Sequence, residues 1–267
     1  MLHSMELHAR GAAGARDMVR GMLDSWLDLV HGAACVGCAE PGRSLCAECD
    51  LTLPVRGRSV RPTPCPDGLA TCFAAGEYDD LLRAMILAHK EHGTFSLTAP
   101  LGRVLSAAAL FPLDPTSVTV LVPVPSRAGV VRARGHDPVL RMARLAARFL
   151  RRRGHRVEVD QVLEQRGAVH DQAGLNAGQR AANLVGSMGV RASARAALAR
   201  SNVPLSLLVC DDVLTTGATA REAQRALEES GLRVRAVVTV AATRKRVPAQ
   251  VATSAGPYRF PVRRTTV

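Results

Sequence analysis

The chain predicts an α/β domain, a mostly parallel sheet with helices on both faces, preceded by a small cysteine-rich module. Three observations predict it. A β-branched run at 118–124 and short, mostly apolar segments at 205–210 and 234–242 suit strands buried on both faces. Segments with helical periodicity separate these runs, and strands joined through helices form parallel sheets. Tryptophan, tyrosine and phenylalanine number only 1, 2 and 5 in 267 residues. The core must therefore be built from Ala, Val and Leu, which suits helices laid on a sheet.

The elements follow in chain order. Residues 1–15 carry no pattern, whereas Met18, Met22, Leu23, Trp26, Leu27 and Val30 recur at three- and four-residue steps and predict a short amphipathic helix. It leads into Cys35-Val-Gly-Cys38 and then Cys46-Ala-Glu-Cys49. This C-x2-C-x7-C-x2-C spacing matches tetrahedral zinc held by two Cys-x-x-Cys pairs. With all four ligands from protein, such a zinc site is structural and leaves no position for a reacting water. Four reduced packing thiols would be the bland alternative, but the small polar residues around them offer little core to join. Residues 1–53 are thus expected to form the N-terminal helix and a four-cysteine zinc module, and the proline-rich stretch 54–76 a linker. Residues 77–244 would be the main domain and 245–267 an unpatterned tail. Within the main domain, 77–89 and 98–111 predict helices, 118–124 a strand, and 137–152 an Arg-studded helix stopped at Gly154. Strands at 157–163, 205–210 and 234–242, a polar loop at 164–176, and helices at 178–184 and 219–230 complete the reading.

Composition narrows the function classes. The formal net charge is +12, and of 35 basic residues only Lys90 and Lys245 are lysine. A basic surface attracts phosphate, yet no Arg run is interleaved with the aromatics that stacking on bases requires, and an Arg bias also arises from genome-wide nucleotide preference. No stretch reaches the roughly 18 apolar residues of a membrane span, and Asp17, Arg20, Asp24 and Asp28 interrupt the N-terminal segment. A cytoplasmic protein without membrane insertion is expected, with its cysteines reduced. Cys210 then reads as a small buried hydrophobe. One zinc is expected rather than two, because beyond the four-cysteine set only Cys65 and Cys72 stand close together.

The segment Leu207-Leu-Val-Cys-Asp-Asp-Val-Leu-Thr-Thr-Gly-Ala-Thr-Ala-Arg-Glu222 carries the most chemistry. A buried strand delivers Asp211 and Asp212, a Thr/Gly turn follows, and a helix begins. Thr219 and Glu222 have capping-box spacing, which would put the free amides of a helix start beside the turn as an anion seat. Gly217 would let backbone approach the anion, and the hydroxyls of Thr215, Thr216 and Thr219 would add donors. Two carboxylates would repel phosphate but suit a neutral polyol, so a sugar phosphate satisfies both halves. A second segment, Val122-Pro-Val-Pro-Ser-Arg-Ala-Gly-Val-Val-Arg-Ala-Arg-Gly-His-Asp137, places Ser126, Arg127, Arg132 and Arg134 at the same sheet edge. Paired guanidinium donors there could seat a pyrophosphate, or form an ordinary basic loop.

The string Asp211-Asp-Val-Leu-Thr-Thr-Gly-Ala-Thr219 resembles the phosphoribosyl pyrophosphate (PRPP) motif of type I phosphoribosyltransferases. Together with Val122-Pro-Val-Pro125, Arg134-Gly135, the set Gln172, Leu175, Arg180 and Asn183, and the leading cysteines, it makes the chain similar to the ComF family of competence-associated, phosphoribosyltransferase-like proteins. The family usually has an aromatic and Asn-Gln after its Arg-Gly, where this chain has His136, Asp137 and Pro138. The resemblance implies a type I phosphoribosyltransferase-like parallel sheet, with Asp211 and Asp212 on the ribose hydroxyls and Thr215, Thr216, Gly217, Ala218 and Thr219 around the 5-phosphate. Ser126, Arg127 and Arg134 would hold the pyrophosphate. A mobile segment containing Arg166, Gln172 and Arg180 would close over the ribosyl centre. His170 and Asp171 in that loop could serve proton transfer or be an ordinary solvated pair.

Two functions follow from that resemblance. One is a phosphoribosyltransferase using Mg2+ bound with PRPP. The other is an accessory protein of DNA uptake that senses a nucleotide and contacts single-stranded DNA or a helicase partner, for which Arg141, Arg144, Arg148, Arg151 and Arg152 would supply phosphate contacts unless they are simply a solvated helix face.

Overall fold

The structure, a computed structural model, describes residues 34–126, 129, 131, 135–166 and 184–243. In chain order the helices are α1 (Ala47–Leu51), α2 (Asp80–Glu91), α3 (Thr98–Ala109), α4 (Pro138–Arg152), α5 (Ala192–Ala199) and α6 (Ala218–Glu229). The strands are β1 (Arg58–Val60), β2 (Cys72–Glu77), β3 (Val118–Pro123), β4 (Val157–Val159), β5 (Leu163–Gln165), β6 (Met188–Val190), β7 (Leu205–Leu214) and β8 (Val234–Ala242).

Six strands form one sheet in the order β1-β2-β8-β7-β3-β4, parallel throughout except for the antiparallel edge strand β1. β5 and β6 make a separate antiparallel pair. The expected α/β class, with a mostly parallel sheet flanked by helices, is what the chain adopts. Alternate side chains of the central strands feed two cores, as the period of a strand requires. Leu121, Leu208, Cys210, Val238 and Val240 meet α2, α3 and α4 on one face. Val120, Val122, Leu207, Val209 and Val237 meet α6 and the β5–β6 pair on the other.

This winding fixes where a ligand fits. From β3 the chain passes through α4 on the first face and reaches β4 at the sheet edge; from β7 it passes through α6 on the second face to β8. The two connections diverge, so the carboxyl ends of β3 and β7 flank a topological switch point, where open α/β sheets leave a crevice. β3 pairs with β7 only as far as Pro123↔Cys210, whereas β7 continues along β8 to Leu214↔Ala242. The last four residues of β7 therefore project past β3.

Several elements differ from expectation. Residues 54–76, expected as a linker, contribute β1 and most of β2, and Gly57 N–H bonds the Ala107 carbonyl of α3 at 3.1 Å. The expected strand 157–163 is divided between β4 in the main sheet and β5 in the small one. β7 runs four residues beyond the expected 205–210 because β8 pairs with it through both aspartates. β6 and α5 were not anticipated. The expected N-terminal helix, the C-terminal tail and nearly all of helix 178–184 lie outside the described residues. No helix among the described residues is long and apolar enough to cross a membrane.

Candidate functional site

At the end of β7 the chain makes the turn Thr215-Thr216-Gly217 and enters α6. Asp211, Thr215, Gly217 and Thr219 line one small concavity there, with Thr239 of β8 on its wall. Gly217 is the residue that precedes the helix, in the left-handed region at φ 74, and brings no capping side chain of its own. Thr216 Oγ1 accepts the Ala218 N–H at 3.5 Å, and the other first-turn amides are left to face the turn. Because the helix begins at Ala218, Thr219 and Glu222 do not form the expected capping box. Glu222 is buried; it accepts the Met188 N–H at 2.9 Å and pairs with Arg225 at 2.7 Å, tying α6 to β6.

Gly217 has a second reason to be glycine. A Cβ there would sit 2.8 Å from Leu69 Cδ2 and 3.0 Å from Pro62 Cγ, so the close approach is made by the chain itself. Residues 62–69 lie over the turn and are held on α6. Arg221 Nε donates to the Asp67 carbonyl at 3.0 Å, and Gln224 Nε2 donates to the Gly68 carbonyl at 2.9 Å.

The two aspartates point to different places. Asp212 is 6% exposed; its Oδ2 accepts from Lys90 Nζ at 2.7 Å and its Oδ1 from the Val213 N–H at 2.8 Å. Asp211 keeps some accessible surface, yet protein atoms ring its carboxyl. That desolvation, then the charge of Asp212, push its proton affinity well above the carboxylate range, against the opposing Asp212 N–H at 2.8 Å and Lys90. Only Asp211 of the pair lines the concavity. Lys90 was missed in the sequence; its signal is that it is one of just two lysines among 35 basic residues.

Next to Lys90 in the chain, His89 joins a cluster of rings that meet edge-on. His136 lies edge-on to Phe95, with centroids 4.6 Å apart, and 5.8 Å from His89, while Arg141 sits 4.1 Å over the Phe95 ring. His89 is buried, with Nε2 2.9 Å from Thr98 Oγ1. Burial, followed by His136 and Arg141, lowers its pKa to about 3, so it is neutral at ordinary pH. Asp137 caps α4 through the Leu140 N–H at 3.2 Å, and its other oxygen accepts the Ser126 N–H at 3.4 Å. Ser126 is therefore fixed at the carboxyl edge of β3. Arg127, Arg132 and Arg134 lie outside the described residues, as do His170, Asp171, Gln172 and Arg180. Arg166 is described and engaged within the β5–β6 pair: its guanidinium lies over Gly189 and donates to the Val190 carbonyl at 3.2 Å.

The cysteine hook forms a second centre. Sulfurs of Cys35, Cys38, Cys46 and Cys49 all lie within 4.8 Å of one another, with Cys38 and Cys46 at 3.6 Å. Tetrahedral Zn–S bonds of about 2.3 Å need sulfurs about 3.8 Å apart, so the cage fits a metal such as zinc. Backbone shapes it. Cys35 N–H bonds the Glu40 carbonyl at 2.8 Å, Ala39 N–H bonds the Cys35 carbonyl at 2.8 Å, and Cys46 starts α1. Hydrogen bonds with the sulfurs of Cys46 and then Cys35 hold the Cys49 thiol up at about 12, an effect that a central cation would reverse. At Cys35, burial raises the thiol but backbone N–H groups, chiefly that of Cys46, outweigh it and bring it to about 6.

The hook sits directly on the main domain. Val36 and Leu45 pack on the α2–α3 side of the core, and Asp50 pairs with Arg103 of α3 at 2.6 Å. Cys65 and Cys72 are free thiols, Cys72 buried and pushed to about 12 by burial and then by Cys65. Cys210 is fully buried in the core, where burial raises its thiol. Among the described residues, no other group of three or more metal-binding side chains converges.

Comparison of the sequence with protein-family models and with curated proteins found no match in either.

Proposed function

We propose that the crevice at the carboxyl ends of β3 and β7 is a PRPP site of the type I phosphoribosyltransferase kind, in a protein of the ComF type. The observation that carries this reading is the meeting of Asp211, Thr215, Gly217 and Thr219 in one concavity at the start of α6, where the N-cap residue Gly217 brings no side chain. Amides and hydroxyls there suit a 5-phosphate, and a carboxylate a few residues away suits ribose hydroxyls. Asp211 orients the ribose, with Asp212 fixed behind it. Ser126, with Arg127 and Arg134 of the same loop, is assigned to the pyrophosphate. Mg2+ arrives with the diphosphate oxygens and needs few protein ligands. Catalysis in such a site is positioning and charge stabilisation, with water kept from the ribosyl centre. The cysteine hook holds structural zinc.

Calorimetry with PRPP and Mg2+ tests this reading, with Asp211→Asn as the control. Wild type should bind and the variant should not; pyrophosphate release with a panel of bases then separates a transferase from a sensor. No binding by wild type would reject the reading.

A DNA-uptake role has its own supporting observation. α4 carries no acidic residue, and Arg144, Arg151 and Arg152 are exposed along it. Single-stranded DNA held there should dissociate steeply with salt and be indifferent to Asp211→Asn.

A further inference from the structure

The cation that the sequence did not flag tells the two aspartates apart. Successive residues of a strand face opposite sides of the sheet. Asp212 shares its side with Cys210 and faces α2, whereas Asp211 shares its side with Val209 and faces the turn before α6. Both Asp212 oxygens are engaged, one by Lys90 and one by the Val213 N–H. A carboxylate held this way cannot swing to a sugar without breaking an ion pair.

We propose that Lys90 is a positioning residue of the sugar-phosphate site: it holds Asp212 against α2, so that of the two adjacent carboxylates only Asp211 is presented to the sugar. This rests on the PRPP reading above and adds to it a residue outside the motif.

The kind of cation matters. Arginine serves at 33 of the 35 basic positions in this chain, and Lys90 is an exception. A compact ammonium meets one carboxylate oxygen as a point charge, whereas a guanidinium fork would reach for both oxygens and compete with the Val213 N–H. Lys90 sits in the last turn of α2, where the helix dipole also favours a cation. The titratable and charged groups that bear on Asp212 are Lys90, which contacts it, His89 of α2, and the neighbouring Asp211; His136 and Arg141 from the α4 side act on His89. His89 is neutral, and Lys90 is the cation that contacts Asp212. Removing its charge lets Asp211 hold a proton more readily, and ligand binding that needs Asp211 ionised should fail at a higher pH than in wild type.

The test is calorimetry of PRPP with Mg2+ across mildly acid to mildly alkaline pH, on wild type, Lys90→Met, Lys90→Gln and Lys90→Arg. Lys90→Gln keeps a hydrogen bond to Asp212 and is the variant to read if Lys90→Met does not fold. Met and Gln should weaken binding by about tenfold, equivalent to about 1.4 kcal/mol, and move its acid limit upward, while Arg should restore most of the affinity. Adding Lys90→Met to Asp212→Asn should cause no further loss, because the lysine acts through that carboxylate. If Met and Gln bind as wild type does, with the acid limit unmoved, the role of Lys90 is overturned and the PRPP reading stands. If wild type does not bind PRPP, both fall.

Discussion

Four sulfurs from the stretch between Cys35 and Cys49 make the hook, whereas the crevice draws Lys90, Ser126, Asp211 and Thr239 from four separate parts of the chain. Within itself the hook has a five-residue helix and a few turns, and beyond that the packing of Val36 and Leu45 and the Asp50–Arg103 pair. The crevice is held by strands paired along their length and by two apolar cores. An ion held by the four sulfurs would fix the shape of the first centre, whereas the sheet fixes that of the second. Perturbing each should therefore give different kinds of damage.

The largest effect is expected at the hook. Chelation, or Cys46→Ser, should remove the bound metal and with it hydrogen-exchange protection around residues 35–57, while the sheet amides of β7 and β8 stay protected. Structural zinc contributes on the order of 10 kcal/mol in small modules, so loss of this segment should be complete. Loss of sheet protection at the same time would mean that the two regions are a single cooperative unit.

In the crevice the aspartates should respond in opposite directions. Asp212→Asn leaves Lys90 without its partner carboxylate and should destabilise by about 2 kcal/mol, less than for a fully buried pair because the Lys90 side chain is 37% exposed. Gly217→Ala meets both the left-handed φ and the contact with Leu69 and should cost about 1–2 kcal/mol. Asp211→Asn should stabilise by about 1 kcal/mol at neutral pH, a rise in melting temperature of about 3 °C, while removing ligand binding. The sign follows from the raised proton affinity of Asp211 in the fold. Folding favours its protonated form, so the wild-type penalty is absent below the unfolded value of about 3.9 and grows as pH rises above it. The advantage of asparagine should thus vanish in acid; an advantage unchanged across pH would point to a cause other than charge. The smallest effect joins the regions: Arg103→Ala breaks the half-exposed pair with Asp50 and should cost at most about 1 kcal/mol.

The same contrast explains what was legible in the sequence. The hook could be read because its ligands are local and their spacing is itself the geometry. The strands at 118–124 and 234–242 could be read because burial on both faces leaves a mostly apolar run, broken in the second only by the exposed Arg235 and the small Thr239. β2 was missed: Cys-Phe-Ala-Ala-Gly-Glu has no β-branched residue, and it enters the sheet through pairing with β8, a distant segment. β7 was cut short because two aspartates look like a strand end, although register with β8 carries the strand through them. The Thr/Gly turn was found, but the capping box was not formed, since Gly217 in the left-handed region starts the helix one residue early. Lys90 lies 122 residues from Asp212, beyond the reach of any spacing rule.

The most direct test of the central claim is a crystal structure of the protein with PRPP and Mg2+. The account predicts the 5-phosphate against the amides and hydroxyls of residues 215–219, with Asp211 on the ribose hydroxyls and Asp212 still on Lys90. A ligand bound elsewhere on the chain, or a phosphate turned away from the β7–α6 turn, would contradict it.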